Sequence, residues 1–342
     1  MIISPHVFTH PGTGLAAAVK HYERDDVESR KEGLTLIFAH GISFHKELWE
    51  PIIEQLFALD RKRIVRDAWC LDWQSHGESG LLNKHVLATR EPVSTNEYAD
   101  LLAFFSSSLA RGCHIVAVGH SASTSAWVLA AAQGTGSSKL ISVILIEPVV
   151  VVPPIPRNDP RFAVSRANRQ SASSRPFTWP SVGAAVSFLT ANHPWRAWDP
   201  RVLGLYIDHG LIVSSNDIVS TRCTKQQECG VYEITPNCAH ITAGEELARL
   251  CARVPVHVVF GERPSNTVYV YPNARKEICD AQAGRCVASI QVVPGTGHLV
   301  SLSCFSAPDL VIEHSHIVRI REPRRVSSCN IQRRFVIGFS ND

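Results

Sequence analysis

The sequence lacks the patterns that mark membrane proteins, secreted proteins and cysteine-ligated metal proteins. Its 342 residues contain no run of about 18 uncharged apolar residues, so no membrane span is expected. The first residues show no basic region followed by a long apolar stretch, which argues against a secretory signal. The ten cysteines form no C-x-x-C pair, so neither a zinc site nor a dithiol redox site is predicted. We expect a cytoplasmic protein with reduced thiols.

A strong excess of charge of either sign is also missing. The net charge is +3, and the positive charge is concentrated between Arg319 and Arg334, where six arginines accompany one glutamate. Such a stretch can bind nucleic acid, but no aromatic residues that could stack on bases lie among these arginines. We therefore expect a solvated or poorly ordered end and no nucleic-acid partner.

Short apolar runs alternate with helix-like segments along the first half of the chain. Residues 34–40 and 141–146 are continuous apolar runs, typical of strands buried on both faces. The apolar spacing predicts a helix over residues 46–59, and Ser94 followed by Glu97 predicts a capping box. Repeated β-α-β units of this kind predict an α/β fold with a mostly parallel sheet and helices on both faces.

The alternation does not continue through the middle of the chain. Residues 149–250 are rich in proline, arginine and tryptophan, and buried-strand patterns return only at residues 254–260 and 287–293. We predict a core of residues 1–148 and 251–342 with residues 149–250 inserted as a lid. The aromatic residues of this lid favour an apolar substrate of medium size, although each of them could simply hold the lid together.

The segment Gly119-His120-Ser121-Ala122-Ser123 lies between a predicted strand and a predicted helix of small residues. Such a strand–turn–helix presents a nucleophile at a sharp turn, where small neighbours avoid clashes. The usual pattern is G-x-S-x-G, and Ser123 replaces the last glycine with another small residue. The helix N-terminus favours negative charge developing beside Ser121. We predict that Ser121 is a catalytic nucleophile.

Two further loops follow predicted strands and supply partners for Ser121. The loop of residues 294–298 contains two glycines, which let it carry the His298 imidazole into a site as the base. The loop that begins at His40 and Gly41 follows the strand of residues 34–40. We predict that the N–H groups of Ile42 and Ala122 form the oxyanion hole.

Two glutamates are candidates for the acid that orients His298. Glu147 ends the predicted strand of residues 141–146, and Glu262 follows the predicted strand of residues 254–260. The acid has to hold the imidazole tautomer and stabilise the imidazolium. We favour Glu147 and keep Glu262 as the alternative, because only geometry can decide between them.

Together these motifs resemble the alpha/beta hydrolase superfamily over about residues 7–300. Several segments are also similar to the fungal toxin-biosynthesis hydrolases of the AK-toxin type, among them Phe38-Ala39-His40-Gly41, Lys46-Glu47-Leu48-Trp49-Glu50-Pro51 and Trp198-Asp199-Pro200-Arg201-Val202-Leu203. The resemblance implies an eight-stranded sheet with an inserted helical lid and a role in specialised metabolism. Most members carry the acid after the later strand and some at the end of the earlier one, which leaves both glutamates open.

The end of the chain departs from the pattern of these relatives. Residues 299–342 show little helical periodicity where a closing helix would be expected. Some relatives of this type end in a peroxisomal tripeptide, and Ser340-Asn341-Asp342 is not one. Because some relatives carry such a signal, a peroxisomal location is kept as the alternative to the cytoplasm.

The predicted activity is hydrolysis or acyl transfer at an ester, thioester or lactone of a small apolar molecule, with Ser121 as nucleophile. Candidate substrate contacts are Gly41, His120, Trp179 and Trp198. We expect no cofactor and no metal, and the oligomeric state stays open. One alternative is a non-hydrolytic enzyme on the same scaffold, catalysing a cyclisation or carbon–carbon bond change. The other is a catalytically silent protein that binds a small molecule.

Overall fold

The computed structural model describes residues 1–25, 33–109, 113–134, 139–232, 234–235, 238–263 and 273–303. The strands in these ranges, numbered along the chain, are β1 (Ile2–Thr9), β2 (Ala16–Glu23), β3 (Leu34–Ala39), β4 (Val65–Leu71), β5 (His114–His120), β6 (Lys139–Ile146), β7 (Thr178–Trp179), β8 (Leu211–Val213), β9 (Val219–Thr221), β10 (Val256–Gly261) and β11 (Ser289–Val293).

Eight of these strands form one sheet in the order β1-β2-β4-β3-β5-β6-β10-β11. From β4 to β11 every neighbouring pair is parallel, whereas β2 runs antiparallel to both β1 and β4. The predicted mostly parallel eight-stranded sheet is therefore confirmed. Because all the parallel strands point the same way, the ends of β3, β5, β6, β10 and β11 meet at one edge of the sheet.

The described helices are α1 (Glu50–Leu59), α2 (Gly77–Leu82), α3 (Lys84–Leu87), α4 (Thr95–Ser108), α5 (Ala122–Gln133), α6 (Pro160–Ser174), α7 (Val182–Ala191), α8 (Pro200–Gly210), α9 (Lys225–Gly230), α10 (Ala239–Arg253), α11 (Ala274–Ile278) and α12 (Val300–Ser303). The capping box predicted at Ser94 is present. The helix predicted over residues 46–59 begins as a 3₁₀ turn and becomes α-helical at Glu50, because Pro51 fits only into a first turn.

Helices cover both faces of the sheet. On one face α4, α5 and α10 bury Leu102, Trp127 and Leu247 completely. On the other face α1 buries Ile53 and Phe57 against the strands. Removing each such side chain from water contributes about 1.5–3 kcal/mol, so the two layers hold the strand ends in fixed positions.

The segment between β6 and β10 contains α6–α10 and a second sheet in the order β7-β9-β8. Its aromatic residues form a separate cluster with α7 and α8, which we call the aromatic cluster: Trp179, Trp195, Trp198 and Tyr206, with Phe44 and Phe188 at its margin. Helix α10 packs on the core instead, since its Leu247 and Leu250 are buried in the same cluster as Trp127 of α5. The predicted boundary after residue 250 falls inside this helix.

The far end of the chain extends beyond the described residues. The basic stretch between Arg319 and Arg334 lies outside them, as do residues 304–342 of the segment for which no closing helix was predicted. Within the described ranges, none of the helices combines the length and the apolar character needed to cross a bilayer.

Candidate active site

Ser121 forms the turn between β5 and α5. Its dihedral angles are φ 57° and ψ −126°, a conformation that costs an L-residue about 1–3 kcal/mol. Hydrogen bonds on both sides hold the turn: Ser121 N donates to Ile146 O at 3.0 Å, and Ser121 O accepts from Thr124 N at 3.0 Å. The Ser121 hydroxyl therefore lies just beyond the sheet, at the edge where the parallel strands end.

Ser123 stabilises this turn through its own hydroxyl. Ser123 Oγ accepts a hydrogen bond from His120 N at 2.8 Å and lies 2.8 Å from Ala39 O, to which it can donate. The side chain thus ties the turn to the end of β3, a link that glycine at this position could not make. The turn therefore tolerates serine in place of the usual glycine, and the serine also stabilises it.

His298 reaches Ser121 from the loop after β11. Its Nε2 lies 2.8 Å from Ser121 Oγ, and its side chain is only 11% exposed. The loop passes close to the end of β10, where a Cβ on Gly261 would lie 2.4 Å from Gly297 O. Glycine at residue 261 therefore permits the approach that brings the imidazole to the hydroxyl.

The structure brings Glu147 to the other side of the imidazole. His298 Nδ1 lies 3.2 Å from Glu147 Oε2, and the carboxylate is buried. Glu147 Oε1 accepts from Gly261 N at 2.6 Å and from Arg275 Nη2 at 3.3 Å. These donors compensate for the loss of water around the charge.

Glu262, the alternative acid, has a different partner. Its Oε2 accepts a hydrogen bond from Gly295 N at 2.8 Å, and the residue is exposed. Glu262 therefore stabilises the loop that carries His298.

Glu147 has φ 46°, a left-handed value that accompanies the turn of the chain out of β6.

The loop of residues 40–44, called the β3 loop here, approaches Ser121 from the neighbouring strand. His40 Nε2 accepts from Trp73 N at 3.0 Å, so the proton is on Nδ1, which donates to Gly41 O at 2.8 Å. Burial lowers the pKa of His40 to about 4, which keeps the ring neutral. Since C=O and N–H point in opposite directions across a trans peptide, holding Gly41 O fixes the direction of Ile42 N–H.

Both predicted oxyanion donors border Ser121. A Cβ on Gly41 would lie 2.9 Å from Ser121 Cβ, so the β3 loop touches the turn directly. Ala122 is the first residue of α5, and its N–H therefore has no acceptor within the helix. The dipole of the helix adds to the positive potential at this end.

The predicted substrate contact His120 is buried beneath the imidazole of His298. Its Nε2 donates to His298 O at 2.8 Å, and its ring stacks on Phe44 with centroids 5.8 Å apart. Burial lowers the pKa of His120 to about 3, with a further decrease from His298. His120 is thus a neutral side chain that holds the main chain of the proposed base.

The two tryptophans predicted as substrate contacts lie in the aromatic cluster. Trp198 packs edge-on against Phe44 at 5.7 Å, and Phe44 in turn contacts His120. Trp179 packs against Phe188 at 5.8 Å. Both indoles are buried, so they link the cluster together, and Trp198 connects it to the candidate site.

A cleft of about 410 Å³ opens beside this cluster, between α6 and the turn after α7. Polar residues such as Asn168, Arg175 and Asn192 line it together with Trp195 and Tyr232. The sequence predicts neither this cleft nor the contact of Arg275 with Glu147. No motif marks either feature, because residues far apart in the sequence build both.

Comparison with known proteins identifies the family of the chain. The model of the alpha/beta hydrolase family matches residues 36–314. No curated protein sequence shows significant similarity to the chain. Solved structures share the fold at low sequence identity.

Three of these structures illustrate the likeness. The peroxisomal alpha-beta-hydrolase Lpx1 of Saccharomyces cerevisiae has a TM-score of 0.68 at 16% identity, covering 97% of this chain and 92% of that one. E-2-(acetamidomethylene)succinate hydrolase gives 0.63 at 19% identity, covering 88% and 94%. The thioesterase domain from the curacin biosynthetic pathway gives 0.61 at 14% identity, covering 90% and 98%. The prediction of an α/β-hydrolase enzyme is thereby confirmed, and the chain belongs to the alpha/beta hydrolase family.

Proposed function

We propose that the protein is a serine hydrolase that cleaves an ester, thioester or lactone of a small organic molecule. The observation that supports this most directly is the pair of contacts at His298: Nε2 lies 2.8 Å from Ser121 Oγ and Nδ1 lies 3.2 Å from Glu147 Oε2. A nucleophile, a base and an orienting acid are therefore in line across three loops at one sheet edge.

In the first step His298 Nε2 takes the proton of Ser121 as Oγ attacks the carbonyl carbon. The carbonyl oxygen becomes an oxyanion, which the N–H groups of Ile42 and Ala122 stabilise. The tetrahedral intermediate collapses to an acyl-Ser121, and His298 gives its proton to the departing alcohol or thiol. Throughout, Glu147 accepts from Nδ1–H and stabilises the imidazolium.

In the second step a water molecule attacks the acyl group with His298 again acting as base. The acid is released and Ser121 regains its proton, so the cycle closes without a cofactor. An alcohol or amine in place of water would complete an acyl transfer with the same residues.

The metabolic role is a finer proposal. The similarity of residues 38–41, 46–51 and 198–203 to toxin-biosynthesis hydrolases supports a place in specialised metabolism. One solved relative of the same fold comes from a biosynthetic pathway. We propose that residues 149–250 act as a lid and that the substrate is apolar and of medium size, which the aromatic residues of this segment favour.

Labelling with a fluorophosphonate probe tests the proposed function. We expect stoichiometric labelling of Ser121 in the folded protein, identified by peptide mass spectrometry. Ser121→Ala should abolish labelling and reduce hydrolysis of p-nitrophenyl esters by about 10⁵-fold or more.

Circular dichroism of both proteins provides the control for folding. Folded wild-type protein that stays unlabelled would refute the serine mechanism and favour a binding protein. Turnover that survives in Ser121→Ala but is lost in His298→Ala would favour non-hydrolytic chemistry instead.

A further inference from the structure

A buried carboxylate connects the segment between β6 and β10 to the β3 loop. Glu228 lies in α9 and is only 1% exposed. Burying a carboxylate costs several kcal/mol unless donors and an opposite charge surround it. The partners of Glu228 therefore define what this side chain holds in place.

Two groups share the same oxygen of Glu228. Ser43 Oγ donates a hydrogen bond to Oε1, and Arg175 Nη2 forms an ion pair with it. Although burial opposes the charge of Arg175, the attraction of Glu228 raises the pKa of its guanidinium. The carboxylate thus joins a cation at the cleft to a hydroxyl of the β3 loop.

Tyr232 completes the set of contacts around Ser43. Its hydroxyl lies 3.0 Å from Ser43 Oγ. Because Ser43 gives its single proton to Glu228, Tyr232 is the donor in this second bond. Burial, reinforced by Glu228, raises the pKa of Tyr232 to about 12, so the phenol keeps its proton at neutral pH.

Ser43 occupies a backbone conformation that needs outside support. Its φ is 75°, in the left-handed region that costs a non-glycine residue about 1–3 kcal/mol. Ser43 directly follows Ile42, whose N–H is a proposed oxyanion donor. The two bonds of the Ser43 hydroxyl therefore act on the backbone next to that donor.

Helix α9 is itself fixed to the core, so Glu228 is held at a set distance from the sheet. The neighbouring Gln227 accepts from Val93 N at 3.0 Å and donates to Leu87 O at 3.3 Å. A Cβ on Gly230 would lie 2.1 Å from Pro92 Cγ, which shows how closely α9 approaches this segment. A carboxylate carried by such a helix is a rigid support.

We propose that Glu228 is a positioning residue, which acts through the Ser43 hydroxyl to fix the direction of Ile42 N–H. This inference rests on the proposed function, because it acts on the proposed oxyanion hole. Arg175 pairs with the carboxylate and holds it in place. The position of Arg175 at the cleft is thereby coupled, through Glu228, to the reactivity of Ser121.

Paired substitutions at Ser43 separate this role from simple backbone strain. Ser43→Ala and Ser43→Gly both remove the hydroxyl, but glycine also relieves the left-handed strain. We expect both to lower kcat for a p-nitrophenyl ester by about tenfold with little change in KM, a part of the loss that follows removal of a whole oxyanion donor. Ser43→Gly should melt at a higher temperature than Ser43→Ala.

A double-mutant cycle then tests whether Glu228 acts through Ser43. Glu228→Ala should lower kcat as much as Ser43→Ala does, and the double variant should be no slower than either single variant. If Glu228→Ala fails to fold, Glu228→Leu takes its place, because leucine keeps much of the side-chain volume but cannot accept the proton of Ser43. Glu245→Gln, at an exposed glutamate of α10, is the matched control and should leave kcat unchanged.

The outcomes distinguish this inference from the proposed function. Wild-type kcat in Ser43→Gly, or additive losses in the double variant, would overturn the positioning role while Ser121 labelling remains. Failure of the wild-type protein to label at Ser121 would overturn the proposed function itself.

Discussion

The packing beside the Ser121 turn and the aromatic cluster bury tryptophan in different ways. In the core Trp127 is fully buried and its Nε1 donates to Val118 O at 3.1 Å. In the aromatic cluster the Nε1 atoms of Trp179 and Trp198 are buried without a hydrogen-bond partner within the described residues. The tryptophan beside the Ser121 turn is thus satisfied in its polar atom as well as packed. The cluster accepts unpaired donors, as Trp49 and Trp73 do elsewhere in the core.

This difference matches the functions proposed for the two regions. The core holds Ser121, Glu147 and His298 at strand ends, where displacements of a fraction of an ångström matter. The cluster depends on ring contacts at 5–6 Å, which tolerate small shifts of one ring against another. We therefore expect chemistry to be sensitive to changes in the core, and the cluster to be more tolerant.

The largest expected effect is at the proposed acid, Glu147, which lies in the core. Glu147→Gln should lower kcat/KM by about 10⁴-fold, because the amide can present its N–H₂ to the imidazole and favour the wrong tautomer. Steady-state hydrolysis of a p-nitrophenyl ester measures the loss.

Glu262→Gln is the matched control for that variant. Its amide oxygen can still accept from Gly295 N, so we expect activity within about threefold of wild type, a loss of well under 1.4 kcal/mol. A large loss at residue 262 together with full activity at residue 147 would assign the acid to Glu262 instead.

Matched tryptophan substitutions test the comparison through stability. Trp127→Phe should lower the free energy of unfolding by about 2–3 kcal/mol, because it leaves a cavity and removes the hydrogen bond to Val118 O. Trp179→Phe loses similar volume but also removes an unpaired donor, so the decrease should be below about 1 kcal/mol. Urea denaturation measures both. Equal losses would contradict the distinction between the two regions.

A smaller effect concerns pH. Burial lowers the pKa of His240, which contacts Ser125 Oγ at 3.0 Å, to about 4. Between about pH 6.5 and pH 4 the unfolded chain therefore binds a proton at His240, whereas the folded chain does not. The free energy of unfolding decreases as the pH falls through this window.

Replacing this histidine should reduce the pH dependence of stability. His240→Gln should flatten the decrease in unfolding free energy across this window by up to about 1.4 kcal/mol per pH unit, the value for one proton. Urea denaturation at a series of pH values measures the slope. An unchanged slope would show that His240 does not titrate differently in the folded and unfolded chains.

The smallest expected effect is at Arg275. Its contact with Glu147 is partly exposed and Gly261 N remains as a donor, so Arg275→Gln should lower kcat by about threefold at low salt. The difference from wild type should shrink as salt is added. A loss comparable to that of Glu147→Gln would mean that Arg275 does more than support the acid.

The sheet and the serine turn were predictable because local patterns encode them. Continuous apolar runs mark strands buried on both faces, and the small residues around Ser121 reflect a steric requirement of the turn. The choice between Glu147 and Glu262 was not predictable. It depends on β6 and β10 being neighbours and on the left-handed turn at Glu147, neither of which has a sequence pattern.

Other features escaped sequence reasoning for the same reason. The strands β7–β9 are two or three residues long, too short to show alternation. The contact of Glu228 with Ser43 joins residues 185 positions apart. Nothing near either residue in the sequence indicates the other, so only the folded chain shows the pair.

The proposed acid, Glu147, lies at the end of β6, and this placement has a consequence for how such a protein can diverge. The connection between Glu262 and Asn273 need not supply a carboxylate for proton transfer. Insertions or deletions there can change the sequence of this connection without removing a proposed reacting group. Placing the acid on the neighbouring strand thus frees one loop for evolutionary change.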